Sequence, residues 1–378
     1  MTNSRATLRL PVSLTHTRAR RVLGVAAGGF VRLTLALGSL WPSLSHATAT
    51  SRELTTTATV LAVSGAETVL LKAERRRFRA DSSRTDQVRT DQARTERIKG
   101  LPAGLRHRVR VETLRFEGLR SKFRSLVLLP STPLEPGRKY PLLVLLHAHG
   151  SPPVAWLRSG KLHVALDRLV AEGKMPPCIV LLAAGGFGYW VNWKDGRHPY
   201  GDLVVQGYLA RMRANYPVAE GPERVAIAGA SMGGFGALSL GLRHPERFGF
   251  VGALSPTDFA MAIAQTPKRA MYRRVLGPDD TMVACINPNA LVTAGCGRSQ
   301  RLALAWGQRE GSKFRAGSQR LARNLARTGV QHATMEVANG KHSWRATWRQ
   351  ALPFMLEQLG QAWRSAPAVL VGALQHVE

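Results

Sequence analysis

The 378-residue sequence predicts an α/β protein, a doubly wound, mostly parallel sheet with helices on both faces, and three observations carry that expectation. Short apolar runs without alternation recur between longer amphipathic segments, as strands buried on both faces do. The runs are spaced widely enough for a crossover helix between successive strands. One of them, Arg224 to Ala228, passes through Gly229-Ala230-Ser231-Met232-Gly233 straight into a helical pattern.

Taken in order, Val109 to Phe116 and Ser125 to Pro130 read as strands at a sheet edge. Pro141 to Leu146, Cys178 to Leu182, Arg224 to Ala228, Phe248 to Leu254 and Leu302 to Trp306 read as buried strands rich in Val, Ile, Leu and Ala, and Thr334 to Val337 as the last strand. The helices are expected at Lys161 to Glu172, Gly201 to Asn215, Met232 to Arg243, Arg315 to Thr328 and Trp344 to Leu359. Each has an apolar stripe, and most are closed by Gly, Asn or Pro.

Hydrophobic residues make up 44% of the chain and charged residues 20%, ordinary values for a folded protein that exclude wholesale disorder, a collagen-like chain and a polytopic membrane protein. The net charge of +29 invites anionic partners. Residues 1–124 hold 24 of the basic residues and only 9 of the acidic ones, so about half of the excess lies ahead of the expected buried strands.

Four regions follow from these patterns. Residues 1–47 read as an export signal or anchor: Arg18, Arg20 and Arg21, a weakly polar stretch from Val22 to Leu44 broken by Arg32, then Ser45-His46-Ala47 with small residues suited to cleavage. The expected location is secreted or periplasmic. Residues 48–106 form an Arg-rich arm containing the repeat Arg84-Thr85-Asp86-Gln87-Val88 and Arg89-Thr90-Asp91-Gln92-Ala93, too polar to repay the entropy of ordering. The arm is a solvated linker or a contact to anionic envelope material. No zinc-finger spacing or helix-turn-helix signal accompanies the charge, so nucleic acid is not an expected partner. Residues 107–365 form the catalytic domain and 366–378 a tail. Cys285 and Cys296 are close enough in sequence to close a disulfide loop, whereas Cys178 opens a buried strand.

The chemistry is concentrated at Gly229-Ala230-Ser231-Met232-Gly233. A serine nucleophile presented on a tight turn from strand to helix needs tiny residues two places before and after it, and Gly229 and Gly233 meet that need. Composition alone yields Gly-x-Ser-x-Gly about 0.2 times in such a chain, so the strand and helix on either side of it carry the argument. Ser231 requires a base and the base an orienting carboxylate, in the order Ser, acid, His. His342, in the Gly-containing loop Asn339-Gly340-Lys341-His342-Ser343 ahead of a helix, is the expected base. Glu310, in the loop after Leu302 to Trp306, is the favoured acid, and Asp258, in Ser255-Pro256-Thr257-Asp258, is the alternative. The Met232 N–H at the helix start would bind an oxyanion, joined by an N–H near His149 in the loop His147-Ala148-His149-Gly150. Trp190 and Trp193 are candidates for a substrate pocket wall. No metal site is expected, because His147 and His149 lack a carboxylate or third histidine at ligand spacing, and the chemistry requires no cofactor.

These residues resemble the esterase D, enterochelin esterase and antigen 85 mycolyltransferase group of α/β-hydrolases, over residues 107–362. The matching pieces are Tyr140-Pro141 before Leu142 to His147, the Gly229 to Gly234 turn, His244-Pro245-Glu246-Arg247-Phe248 before Gly252-Ala253-Leu254-Ser255, and His342-Ser343-Trp344. The resemblance implies a nucleophilic role for Ser231, an oxyanion N–H from Met232 and a base in His342. The chain departs from it in having Ala148 where many members have Gly, and Glu310 where esterase D relatives usually have Asp. The expected function is an exported serine esterase that hydrolyses a small-molecule or cell-envelope carboxylic ester through an acyl-enzyme. The alternatives are an acyltransferase to a sugar or lipid acceptor and a non-catalytic envelope-binding protein on a hydrolase scaffold.

Overall fold

The computed structural model describes residues 98–265, 270–277 and 281–366. The expected export segment, nearly all of the arm and the tail beyond Ala366 lie outside the described residues. The described residues belong to one compact unit. Ile98, Leu101 and Leu105 already pack against its core, so the chain joins the domain earlier than the expected boundary at 107.

Eight strands form one sheet: β1 (Val109–Leu114), β2 (Phe123–Leu128), β3 (Leu142–Leu146), β4 (Ile179–Ala183), β5 (Val225–Ala230), β6 (Phe250–Leu254), β7 (Arg301–Gly307) and β8 (His332–Val337). Their spatial order is β1-β2-β4-β3-β5-β6-β7-β8, antiparallel from β1 to β4 and parallel thereafter. β3 to β6 are buried at every position, which their unbroken apolar runs demand, whereas the edge strand β1 mixes exposed and buried residues.

The helices, in chain order, are α1 (Ala155–Arg158), α2 (Leu162–Ala171), α3 (residues 200–215, with π-helical Leu203–Tyr208), α4 (Met232–Arg243), α5 (Phe259–Gln265), α6 (Ala270–Leu276), α7 (Thr281–Ile286), α8 (Pro288–Thr293), α9 (Ser312–Arg327) and α10 (residues 344–365, opening with π-helical Trp344–Trp348). Side chains alternate across a strand, so β3 sends Leu142, Val144 and Leu146 to one core layer and Leu143 and Leu145 to the other. The first layer is closed by α3, α4 and α9 through residues such as Tyr208, Phe235 and Leu325. The second is closed by α2 and α10 through Leu166, Leu169, Leu356 and Trp363. Among the described residues no helix is long and apolar enough to cross a membrane.

Two expectations need correction. Cys285 and Cys296 are free thiols: α8 stands between them, Cys285 is exposed, and Cys296 packs partly against the core. The sequence reading also contains no element between Leu254 and Leu302, where α5 to α8 form. Cys178 is buried, and burial pushes its thiol up to about 12, the environment of an inert packing residue.

The topology says where a ligand belongs. The chain leaves β3 toward β4 on one side and returns to β5 on the other, so the carboxyl ends of β3 and β5 flank a switch point. His147 to His149 follow one of these strands and Ser231 follows the other.

Candidate active site

Ser231 stands between β5 and α4 with φ 56° and ψ −113°, a conformation that costs a non-glycine residue about 1–3 kcal/mol and persists only when its surroundings impose it. Here they do. The Ser231 N–H donates to the Leu254 carbonyl at 2.8 Å, and its own carbonyl accepts from Phe235 N–H at 3.0 Å. The flanking glycines allow the turn to close: a Cβ on Gly229 would meet the Gly233 backbone at 2.2 Å, and one on Gly233 would meet the Leu146 carbonyl oxygen at 2.1 Å. Met232 is the first residue of α4, so its N–H has no acceptor within the helix and lies at the positive end of the helix dipole.

The loops after β7 and β8 bring the other two groups to the serine. They are tied to each other by Gln308 N–H to Val337 O at 3.0 Å and Arg309 N–H to Gly340 O at 2.8 Å. Ser343 then starts α10, its Oγ accepting the Ala346 N–H, which leaves His342 just outside the helix. His342 Nε2 is 2.9 Å from Ser231 Oγ, and His342 Nδ1 is 3.4 Å from Glu310 Oε1. The imidazole lies between two aromatic rings, stacked on Phe314 at 3.6 Å between centroids and edge-on to Trp348 at 4.9 Å.

Asp258, the alternative acid, is committed elsewhere. Its carboxylate accepts from Met261 N–H at the start of α5, from Asn287 and Asn289, and pairs with Arg320. It braces the helical segment after β6 and makes no contact with His342.

A cleft of about 440 Å³ opens over Ser231. Ala148, His149, Tyr189, Tyr272, Phe314 and Trp348 are among the residues that form its wall, and Lys313 supplies an ammonium group. Trp190 and Trp193 do not line it. Tyr189 and Trp190 have successive positive φ values of 56° and 62°, a pair of left-handed residues that turns Tyr189 to the cleft and leaves Trp190 fully buried. The Trp190 indole packs on Gly185 and Gly236 and donates to the His147 carbonyl at 3.3 Å. Trp193 donates to the Gly188 carbonyl and packs at a tilt against His198, bracing the loop that carries Tyr189.

Residues 117–359 match the family model described as Putative esterase. The chain belongs to the putative esterase family. It is 30% identical over 137 residues to an endo-1,4-beta-xylanase/feruloyl esterase of Xylanibacter ruminicola, a match covering 35% of this chain and 19% of that protein. It is 32% identical over 101 residues to the MPT51/MPB51 antigen of Mycobacterium tuberculosis, covering 26% of this chain and 31% of that one. The chain thus spans less than a third of the length of either relative. A solved ferulic acid esterase superposes with a TM-score of 0.58 at 24% identity, over 68% of this chain and 98% of the other, a likeness of fold. The expected α/β-hydrolase architecture is therefore the one found.

In this esterase-family site, sequence reasoning missed two residues next to the candidate triad. Ser255, buried at the end of β6 with φ 48°, donates its hydroxyl to Glu310 Oε1 at 2.6 Å and accepts the Trp348 indole N–H at 2.9 Å. Phe314 stacks on the candidate base. The signal for Ser255 was a serine at the carboxyl end of a strand next to the nucleophile's strand, the same position that brought Asp258 into consideration. Phe314 gave no local signal, because it meets His342 only through the packing of α9.

Proposed function

We propose that this protein is a serine esterase that cleaves a carboxylic ester through an acyl-enzyme. The observation that carries the reading is the line from Ser231 Oγ to His342 Nε2 at 2.9 Å and from His342 Nδ1 to Glu310 Oε1 at 3.4 Å, built on a strained elbow at the base of a cleft. Ser231 Oγ attacks the ester carbonyl and passes its proton to His342 Nε2. Glu310, facing Nδ1, orients the imidazole and stabilises its cationic form. The tetrahedral oxyanion is held by the N–H groups of Met232 and His149. His342 then returns the proton to the departing alcohol, and water, activated by the same imidazole, releases the acid.

Membership of the esterase family supports the reaction class, and the aromatic wall supports an acyl or alcohol moiety with apolar surface. Transfer to a sugar or lipid acceptor was attractive if Trp190 and Trp193 kept water from the acyl-enzyme, and neither lines the cleft, so hydrolysis is the reading we favour. Export, and a cell-envelope substrate or contact made through the arm, remain part of the proposal on the strength of residues 1–106 alone.

The test is fluorophosphonate labelling with peptide mapping, alongside turnover of aryl esters of graded acyl length. Wild type is expected to label at Ser231 and to hydrolyse short esters, and Ser231→Ala to do neither. A folded wild type that neither labels nor turns over would overturn the reading in favour of a binding protein on a hydrolase scaffold.

A further inference from the structure

His147 is buried, lies outside the candidate triad, and uses both ring nitrogens. Its Nδ1–H donates to the carbonyl of Ala148 at 2.9 Å, and its Nε2 accepts the Gly185 N–H at 3.2 Å. This pattern requires the neutral imidazole with the proton on Nδ1. Burial favours that form, pushing the group below the ordinary histidine range against the opposing pull of the Ala148 carbonyl.

The consequence lies in the next peptide. The Ala148 carbonyl also accepts the Ser151 N–H at 3.0 Å, so two donors fix its direction. A trans peptide is planar, with C=O and N–H pointing in opposite directions, and no cis bond occurs among the described residues. Fixing the Ala148 oxygen therefore also fixes the His149 N–H, which points the opposite way, and Ala148 and His149 line the cleft together with Ser231 and Met232. The Trp190 indole fixes the preceding peptide through the His147 carbonyl, and its ring meets the His147 ring edge-on at 4.9 Å between centroids.

We propose that His147 is a positioning residue: its neutral imidazole, bridging Gly185 and Ala148, locks the Ala148–His149 peptide so that the His149 N–H serves as the second oxyanion donor. The inference rests on the acyl-enzyme reading above. It also accounts for the departure at Ala148, since a plane held by His147 and Ser151 needs no glycine there.

The experiment compares two variants that each keep a polar group in the buried site. In His147→Asn the side-chain amide nitrogen replaces Nδ1 and keeps a donor for Ala148; in His147→Gln the amide reaches the Nε2 position and keeps only the Gly185 contact. We expect His147→Gln to lose about 10- to 100-fold in kcat at unchanged KM, somewhat less than removal of an oxyanion donor outright, and to bind an arylboronic acid correspondingly more weakly. We expect His147→Asn to stay within about threefold of wild type in both. Equal behaviour of the two variants, or boronate affinity unchanged in His147→Gln, overturns the proposal and leaves His147 a packing residue. Fluorophosphonate labelling of wild-type Ser231, run in parallel, separates that outcome from failure of the esterase reading itself.

Discussion

The Ser255 hydroxyl donates to the same carboxylate oxygen of Glu310 that faces His342, and it is held there by the indole N–H of Trp348. Trp348 in turn packs edge-on against the His342 ring. Four residues from β6, the loop after β7, the loop after β8 and α10 thus form one closed unit, and the orientation of the base depends on all of them.

Ser255→Ala should therefore act on catalysis through Glu310. The substitution leaves a buried carboxylate oxygen and an indole N–H each short of a partner, a cost of about 1–3 kcal/mol. We expect kcat to fall about tenfold with KM little changed, against a fall of about 10³-fold or more for Glu310→Gln, which removes the charge facing Nδ1. Steady-state kinetics on one aryl ester decide the matter, and equal kcat for Ser255→Ala and wild type would detach Ser255 from the triad.

The wall of the cleft gives a second contrast. Tyr189 faces the cleft and Trp190 lies beneath it in the core. Tyr189→Ala should change KM and the preferred acyl length, and lower Tm in part because its ring is also packed against Phe259 and Tyr272. Trp190→Ala should instead cost about 3–5 kcal/mol of stability, the usual price of truncating a buried tryptophan. Trp193→Ala, away from the cleft, should change KM less than Tyr189→Ala does, acting only through the loop it braces. Acyl-chain profiles and thermal melts of the three variants check all of this together.

How much of this was legible in advance follows from what each feature depends on. The buried strands were readable because unbroken runs such as Leu142 to Leu146 have no other stable home, and the elbow because Gly229 and Gly233 meet a steric demand local to the turn. Glu310 was favoured with Asp258 kept as the alternative, because only the tertiary structure gives Asp258 its partners Arg320, Asn287 and Asn289. The pocket wall was misread: Trp190 and Trp193 were expected to form it, and Tyr189 of the same loop is the residue found there. Aromatic residues from 187 to 193 announce a wall, but which of them faces the substrate depends on two successive left-handed residues that no local pattern encodes. The helices from 259 to 293 escaped because they are short, and a stripe of one or two turns carries little periodic signal.

The elbow itself predicts a stability effect. A Cβ at residue 233 would fall 2.1 Å from the Leu146 carbonyl oxygen and 2.8 Å from that of His147, both backbone atoms that cannot swing aside. Gly233→Ala should therefore push α4 away from the end of β3 and cost about 1–3 kcal/mol or more, as overpacking does. Activity should fall further than stability, since the shift separates Ser231 from His342. Differential scanning calorimetry with fluorophosphonate labelling tests this, and an alanine variant that labels at the wild-type rate would contradict it.

Acid should weaken the fold through its buried histidines. Burial lowers the pKa of His107 from the ordinary 6.5, outweighing the attraction of Asp167 at 3.7 Å and assisted by repulsion from His163 and Arg106. Burial lowers His147 as well. A histidine whose folded pKa lies below its unfolded value binds its proton more readily in the unfolded chain. The unfolded state therefore takes up more protons below about 6.5, so stability is fully present above that pH and declines as pH falls toward the folded pKa. The prediction is a Tm that is flat from about pH 7 to 8 and falls as pH drops below about 6.5, with part of the drop abolished in His107→Gln. Carboxylates with depressed pKa values, such as Glu336 held by Trp306 and Arg315, begin to lose their contribution only below the ordinary 4.5 of a glutamate, so the onset near 6.5 belongs to the histidines. A His107→Gln variant whose Tm falls as steeply as that of wild type below pH 6.5 would remove His107 from the account and leave His147 and His163, both lowered by burial, as the titrating groups to test next.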